Sequence, residues 1–310
     1  MKEEEKETTA SLIRGVLAKL HKAGYPVAGF DMYVTSTVLP GSGLSSSAAC
    51  EVLIGTTGNH LFCQDKFDAV EIAKIGQAAE NEYFGKPCGL MDQTASSVGD
   101  AVAIDFKDPA NPIVRSINAN LTGLGLALCI IDCGADHAAL TNEYASIPEE
   151  MCKVAAHFGK KVLREVKEED LLADLAQVRK EAGDRAVLRA LHFYADDRRA
   201  AEEADALERK DKEAFLNLVK ESGRSSWELL QNITPAAAIT HQDMAVALAV
   251  AEKALNGKGA CRVHGGGFAG TIQAFVPVED VCEFKKTMET MLSEGCCHVL
   301  SIRPAGGLIL

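Results

Sequence analysis

No stretch of this sequence is long and apolar enough to cross a bilayer. The longest apolar runs, such as 124–131 (LGLALCII), fall far short of the roughly 20 residues a membrane helix needs. The N-terminus, MKEEEKETTA, lacks the cationic start and apolar centre of a signal peptide, so a cytoplasmic location is the expectation. Aromatics make up 5% of the chain, the formal charge is −12, and no Lys/Arg-rich stripe with interleaved aromatics occurs. That excludes a general nucleic-acid role, because phosphate backbones are bound through basic patches. The ten cysteines include no CxxC pair and no histidine at zinc spacing. Lying in apolar stretches, as Cys50, Cys129 and Cys261 do, they are expected to be buried, reduced thiols. Cys296 and Cys297, before His298, would point to opposite faces of a strand, which disfavours a shared metal. A chain this acidic would need backbone amides and a divalent cation to hold an anionic nucleotide.

What is present is an ordinary globular composition, 47% hydrophobic and 25% charged, over 310 residues, enough for two domains or one large one. Leu12, Ile13, Val16, Leu17 and Leu20 recur at helical spacing and stop near Gly24 and Pro26, predicting an amphipathic helix over 9–23. The β-branched and aromatic run 28–39 predicts a strand that ends at Pro40-Gly41. Ser45–Ser47 then cap a predicted helix reaching Phe62, and Asp65 a second one reaching about Tyr83. Runs 101–106, 113–117 and 124–131 predict strands. The charged stretch 144–230 predicts amphipathic helices near 149–158, 168–178, 184–207 and 211–230. The last segment predicts a helix over 236–255, a strand over 259–264, a glycine loop, a helix or strand over 268–276, a helix over 278–293 and a strand over 297–302. The best division falls near residue 125, giving 1–125 and 126–310.

Three segments carry chemistry. In Gly41-Ser42-Gly43-Leu44-Ser45-Ser46-Ser47-Ala48, glycines let backbone amides approach an anion where a helix start attracts phosphate. No Gly-Lys-Ser/Thr follows, so this is not a Walker A loop. Glu80 and Asp92 flank a Gly-Pro-Cys-Gly break. A Mg-nucleotide phosphotransferase needs an oxygen ligand for its metal and a second carboxylate near the acceptor hydroxyl. Arg262–Gly270 (RVHGGGFAG) runs from a strand into a triple-glycine turn. Taken singly, each also fits a plain structural role: a capped helix, a solvated carboxylate, a tight turn.

Taken together and in this order, LPGSGLSSSAA, AENEYFGKPCGLMDQTAS and CRVHGGGFAG resemble the second and third motifs of the GHMP kinases and the segment between them. The middle segment resembles the galactokinase branch most. The likeness runs from Leu12 to the C-terminus. It implies an α/β (α+β), two-lobe GHMP kinase fold, with an incomplete first lobe resembling domain 2 of ribosomal protein S5 and a ferredoxin-like second lobe with extra helices. It further implies an ATP- and Mg²⁺-dependent sugar 1-kinase acting on galactose, with no nucleic-acid or membrane partner. Carried over residue by residue, Asp92 becomes the base or charge partner of the sugar C1 hydroxyl. Glu80, with Ser46 and Ser47, becomes the metal set. Gly41, Gly43, Leu44, Ser45, Ser46, Ser47 and Ala48 hold ATP with Gly266 and Gly267, and Gly89 and Tyr144 line the sugar.

The sequence also departs from the family pattern. The family's first motif, Gly-Arg-Val-Asn followed by Glu-His-x-Asp, would lie upstream of Arg14, so the chain reads as N-terminally truncated and short of the family's catalytic arginine. Asp132–His137 replaces the commoner Asn-Ser-Asn form, and Val263-His264-Gly265 replaces a hydroxyl-bearing stretch. His137, His192 and His264 are expected to be structural. The rival readings are a catalytically silent sugar- or ATP-binding sensor on the same fold and a GHMP kinase for another small sugar.

Overall fold

The local signals become elements wherever a partner completes them. The structure, a computed structural model, describes residues 5–38, 44–134, 140–268 and 270–310. It forms two units, Met1–Ala119 with Ile302–Leu310, and Asn120–Ser301.

In the first unit, α1 (Thr9–Lys22) starts where the Thr8 hydroxyl accepts the Ser11 amide and buries Leu12, Val16 and Leu20. It packs with α2 (Ser46–Cys63) and α3 (Ala69–Ala79), whose start is closed by a reciprocal Asp68–Glu71 capping box. A π turn, Glu80–Phe84, extends α3 to Gly85. Then come α4 (Met91–Val98) and the antiparallel hairpin of β1 (Ala101–Asp105) and β2 (Ile113–Ile117). The strand expected over 28–39 is a correction: among the described residues 25–38 have no regular structure, and Tyr33 is 93% exposed. β-Branched composition makes a strand only when a neighbour accepts its backbone bonds, and the sole described ladder of this unit is β1–β2.

The second unit opens with β3 (Leu126–Asp132). Five helices follow: α5 (Thr141–His157), α6 (Glu168–Ala173), α7 (Leu175–Ala182), α8 (Asp184–Glu208) and α9 (Lys212–Ser225). Next come a π turn Ser226–Leu230, α10 (Asp243–Leu255), β4 (Ala260–Val263), β5 (Thr271–Pro277), α11 (Val281–Met291) and β6 (Cys297–Leu300). The sheet order β4-β5-β3-β6, antiparallel throughout, with α10 and α11 supplying the crossovers, is a ferredoxin-like split βαβ with α5–α9 inserted after β3. Its core joins Cys129, Ile131, Ile272, Ala274 and Val276 of the sheet to Met244, Leu248, Phe284 and Met288 of the helices. A second cluster, including Val154, Leu171, Val178 and Val187, holds the inserted helices together. Arg189, fully buried, ties them by donating to Glu150 at 2.9 Å and to the Leu230 carbonyl at 3.1 Å.

The two units part at 119/120. The turn Thr122–Leu124 belongs to β3, since the Leu126 amide donates to Leu121 O and the Val278 amide to Gly125 O. Residues 302–310 return to the first unit, where the Asp100 amide donates to Arg303 O at 2.8 Å and the Gly307 amide to Ser97 O at 3.3 Å. A Cβ on Gly306 would stand 1.9 Å from Ser97 O, so only glycine allows this approach. Gly306→Val is expected to destabilise the first unit by about 2–4 kcal/mol. Chemical denaturation followed by circular dichroism measures it, and an unchanged midpoint would show that the tail contributes nothing there.

The thiols divide differently from expectation. Cys63, Cys129, Cys296 and Cys297 are buried, but Cys152 and Cys282 are exposed, because they sit on the outward faces of α5 and α11; all ten are free.

Candidate active site

In the first unit the site is built at the start of α2. Gly41 and Gly43 lie outside the described residues. Leu44 is half-buried, and Ser45 takes the left-handed backbone region at φ 52°. In that conformation its hydroxyl does not cap the helix; it donates to Oδ2 of Asp92 instead. The first-turn amides of Ser46, Ser47 and Ala48 start a helix whose cap side chain is engaged elsewhere, and such amides, with the helix dipole behind them, favour an anion. Asp92 is exposed in the first turn of α4, where that helix's own dipole favours a carboxylate. Gly89, just before α4, is exposed, and an added Cβ would meet nothing within 4 Å, so the space beside it is open. Its loop is pinned by the Asn81 side chain, which accepts the Cys88 amide at 2.6 Å, and by the Gln77 amide on Cys88 O at 3.2 Å.

Glu80 is in a different setting from Asp92. It opens the π turn and is only 3% exposed. The Gln93 side-chain amide donates at 3.0 Å to Glu80 and at 3.0 Å to Glu51, bridging two buried carboxylates. Neither Glu51 Oε1 nor Gln93 Oε1 has a hydrogen-bond partner among the described residues. Burial, with the Glu80 carboxylate beside it, pushes the Glu51 carboxyl up to about 7, against the favourable Gln93 bond. The same burial and the same carboxylate push the Cys88 thiol up to about 12.

The sign of the Glu51 shift sets a pH test. The unfolded chain releases this proton near 4.5, whereas the folded chain keeps it to about 7. Across that window the folded form binds more protons, so rising pH removes stability, in all about 3 kcal/mol. Glu51→Gln keeps the acceptor for Gln93 and cannot ionise. Relative to this variant, the native chain is expected to be about 3 kcal/mol less stable at about pH 8 than the same comparison gives at about pH 4.5. Parallel denaturation curves at both pH values would show that Glu51 titrates normally.

Magnesium takes hard oxygen ligands. The hydroxyls of Ser46 and Ser47 and the second carboxylate oxygen of Glu80, which faces Lys86 Nζ at 3.9 Å, are donors of that kind, so the residues fit the ion chemically. No group of three or more His, Cys, Asp or Glu side chains suited to a metal occurs among the described residues.

In the second unit, Tyr144, Gly266 and Gly267 come together. The Tyr144 hydroxyl donates to Gly267 O at 2.8 Å, and its ring meets Phe268 edge-on at 5.5 Å between centroids. Asn232, 2% exposed, closes the turn from the other side by donating to Gly266 O at 3.1 Å and accepting the Phe268 amide on its carbonyl. The glycines are demanded by this clasp: a Cβ on Gly266 would lie 2.9 Å from the Tyr144 ring, and one on Gly267 2.1 Å from Asn232 O. His192 lies 2.8 Å from Ser225 Oγ and His264 3.1 Å from Gln273 Oε1, while His137 is outside the described residues. The sequence reading missed Glu51, Gln93 and Asn232. For Glu51 and Gln93 the only available signal was a polar residue on a helix face that must be buried, and Asn232, in a loop, offered none.

Residues 11–100 match the family described as the GHMP kinases N terminal domain. The chain is 33% identical over 275 residues to the galactokinase of Actinobacillus pleuropneumoniae serotype 3 (strain JL03), covering 88% of this chain and 68% of that one. It is equally identical, 33% over 275 residues, to the galactokinase of Streptomyces coelicolor, with 89% and 68% covered. Among solved structures, Lactococcus lactis galactokinase complexed with galactose superposes with a TM-score of 0.76 over 97% of this chain and 76% of that chain, at 23% identity. Mevalonate kinase of L. major, in complex with R-mevalonate, does so at 0.56 and 12% identity, over 98% and 79%. At such identities the two structures speak for the fold alone.

Proposed function

Because the chain belongs to the galactokinase family, we propose that it is an ATP-dependent kinase that phosphorylates galactose at the C1 hydroxyl. The observation that carries this reading is the Ser45–Asp92 hydrogen bond, which holds a carboxylate beside the first turn of α2. In the transfer, the bond between the C1 oxygen and the γ-phosphorus of ATP forms while the bond to the bridging oxygen breaks and ADP leaves. The hydroxyl proton passes to Asp92, and the Ser45 hydroxyl fixes the orientation of that carboxylate. The first-turn amides of Ser46, Ser47 and Ala48 receive the phosphates, with Gly41, Gly43 and Leu44 completing the loop. Ser46, Ser47 and Glu80 would hold Mg²⁺, which when bound neutralises phosphate charge. Gly89 leaves room for the sugar in the first unit. In the second unit, Tyr144 and Asn232 hold the Gly266-Gly267 turn rigid. Such sites act mainly by positioning and charge stabilisation.

The domain reading is likewise a proposal, of a partial GHMP N-terminal lobe followed by a C-terminal lobe. The cytoplasm is the proposed location; no helix of the described residues is long and apolar enough to cross a membrane.

The test is ADP release by the 310-residue chain with ATP and Mg²⁺ over a panel of sugars. Turnover on galactose that stops with EDTA and returns with Mg²⁺ is expected. Nucleotide binding without turnover on any sugar would overturn the kinase reading in favour of a binding-only protein, and turnover confined to another sugar would overturn the substrate.

A further inference from the structure

The second unit contains a cavity of about 580 Å³ that the phosphoryl-transfer reading does not use. It opens between α9, the π turn Ser226–Leu230, the C-terminal part of α10 and β4. That size falls within the range of small-molecule sites, about 300–1,000 Å³. Its walls are unequal. The chain's single tryptophan, Trp227, stands on one side, 45% exposed. Leu248 and Leu255 give an apolar floor, and at Gly257 an added Cβ would meet nothing within 4 Å, so that part of the wall is open. Half-exposed indole is costly to leave in water, and it offers a π face to a planar ligand.

The charges around the cavity narrow the ligand further. Arg262, at the base, is committed: it donates to Ser222 Oγ at 2.6 Å, Val263 O at 3.2 Å and Ser226 Oγ at 3.4 Å. Lys220 donates to Gly257 O at 3.4 Å and so belongs to the wall. The side chains of Arg224, Glu228 and Glu252 are exposed and make no hydrogen bond or ion pair among the described residues. Arg224 and Glu228 are four apart in sequence, where a regular helix would pair them. The π turn adds a residue per turn, takes Glu228 out of that register and leaves both groups open. The lining carries three cations, Lys220, Arg224 and Arg262, against two carboxylates, Glu228 and Glu252, and with Lys220 and Arg262 held by the wall only Arg224 of the cations is open beside both carboxylates, so neither a free anion nor a free cation is favoured. A neutral, flat ring with N–H donors on one edge and ring acceptors on another is.

We propose that this cavity binds the base of a purine nucleoside, stacked on Trp227, with its amino edge donating to Glu252 and Arg224 donating to its ring nitrogens. The chemistry is that of base recognition, where carboxylates accept exocyclic amines and guanidinium groups donate to ring acceptors. The triphosphate plays no part, so this is a second nucleoside site, separate in its residues from the start of α2.

Trp227, being unique, reports on its own site. The experiment is a titration of the full chain with adenosine, followed by intrinsic tryptophan fluorescence, with inorganic phosphate as a parallel probe. Saturable quenching by adenosine is expected, weakened about tenfold in Arg224→Ala and in Glu252→Ala, since one charge-assisted hydrogen bond is worth about one such factor. Both residues are exposed and unpaired, so both variants should fold. Asp92→Asn should leave the curve unchanged. Absence of saturable quenching, or curves in both rim variants identical to that of the native chain, would overturn the assignment, and so would quenching by phosphate equal to that by adenosine.

Discussion

Asp92→Asn is expected to lower kcat for galactose phosphorylation by about 10²–10⁴-fold, the usual contribution of a positioned acid or base. The amide keeps the shape and the hydrogen bond to Ser45 but cannot take the hydroxyl proton. Asp92 is exposed, so the fold should be almost untouched, within about 0.5 kcal/mol. Steady-state ADP release alongside a thermal melt reads both effects. Ser45→Ala separates chemistry from orientation. It leaves the carboxylate in place but free to rotate, and is expected to cost less than Asp92→Asn. If Asp92→Asn retains native kcat, the carboxylate does not serve the transfer, and the proton must go elsewhere.

The largest structural effect is expected at the turn of the second unit, where Gly267→Ala should destabilise by about 3 kcal/mol or more. Two costs combine. Gly267 has φ +84°, a left-handed conformation that costs a residue with a Cβ about 1–2 kcal/mol. The new Cβ would also lie 2.1 Å from the Asn232 carbonyl oxygen, a backbone atom already bonded to the Phe268 amide and unable to retreat cheaply. Gly265→Ala is the control, because Gly265 has φ +64° but its Cβ would meet nothing within 4 Å. It should show the conformational cost alone. Guanidinium denaturation of the two variants isolates the steric part as their difference, and equal midpoints would show that Asn232 does not confine the turn. Since Tyr144 and Asn232 both hold this turn, Gly267→Ala should also lose activity, whereas Gly265→Ala should keep more of it.

These two positions differ in how they were found. Asp92 stood out as a candidate from the sequence, because the order of three motifs is a linear pattern. Its partner was not: Ser45 and Asp92 are 47 residues apart, and Ser45 read as a helix cap until its hydroxyl was seen to turn to the carboxylate. Glu80 was a candidate oxygen ligand on the sequence alone, yet its burial with Glu51 and Gln93, and the resulting rise of Glu51, depend on α2, α3 and α4 meeting. Helix α4 itself escaped the reading. Its sequence, MDQTASSV, is short and polar, and what it buries is Gln93, Thr94 and Ser97 rather than an apolar stripe.

The sequence alone determined whatever depends on neighbours along the chain: the amphipathic helices α1, α3 and α9, their caps and breaks, the alternation of strand and helix in the ferredoxin-like unit, and the motif order that points to a sugar kinase. Those signals repeat within a few residues, so local backbone preference and one-sided burial suffice to set them. Only the tertiary structure decided that 28–38 stays without a strand, that residues 302–310 fasten to Ser97 and Asp100, that Gln93 joins two carboxylates, and that Asn232 clasps the Gly266-Gly267 turn. Strand pairing, buried polar bonds and sub-van der Waals clearances each need a second segment distant in sequence, and which segment arrives is settled by packing rather than by local pattern.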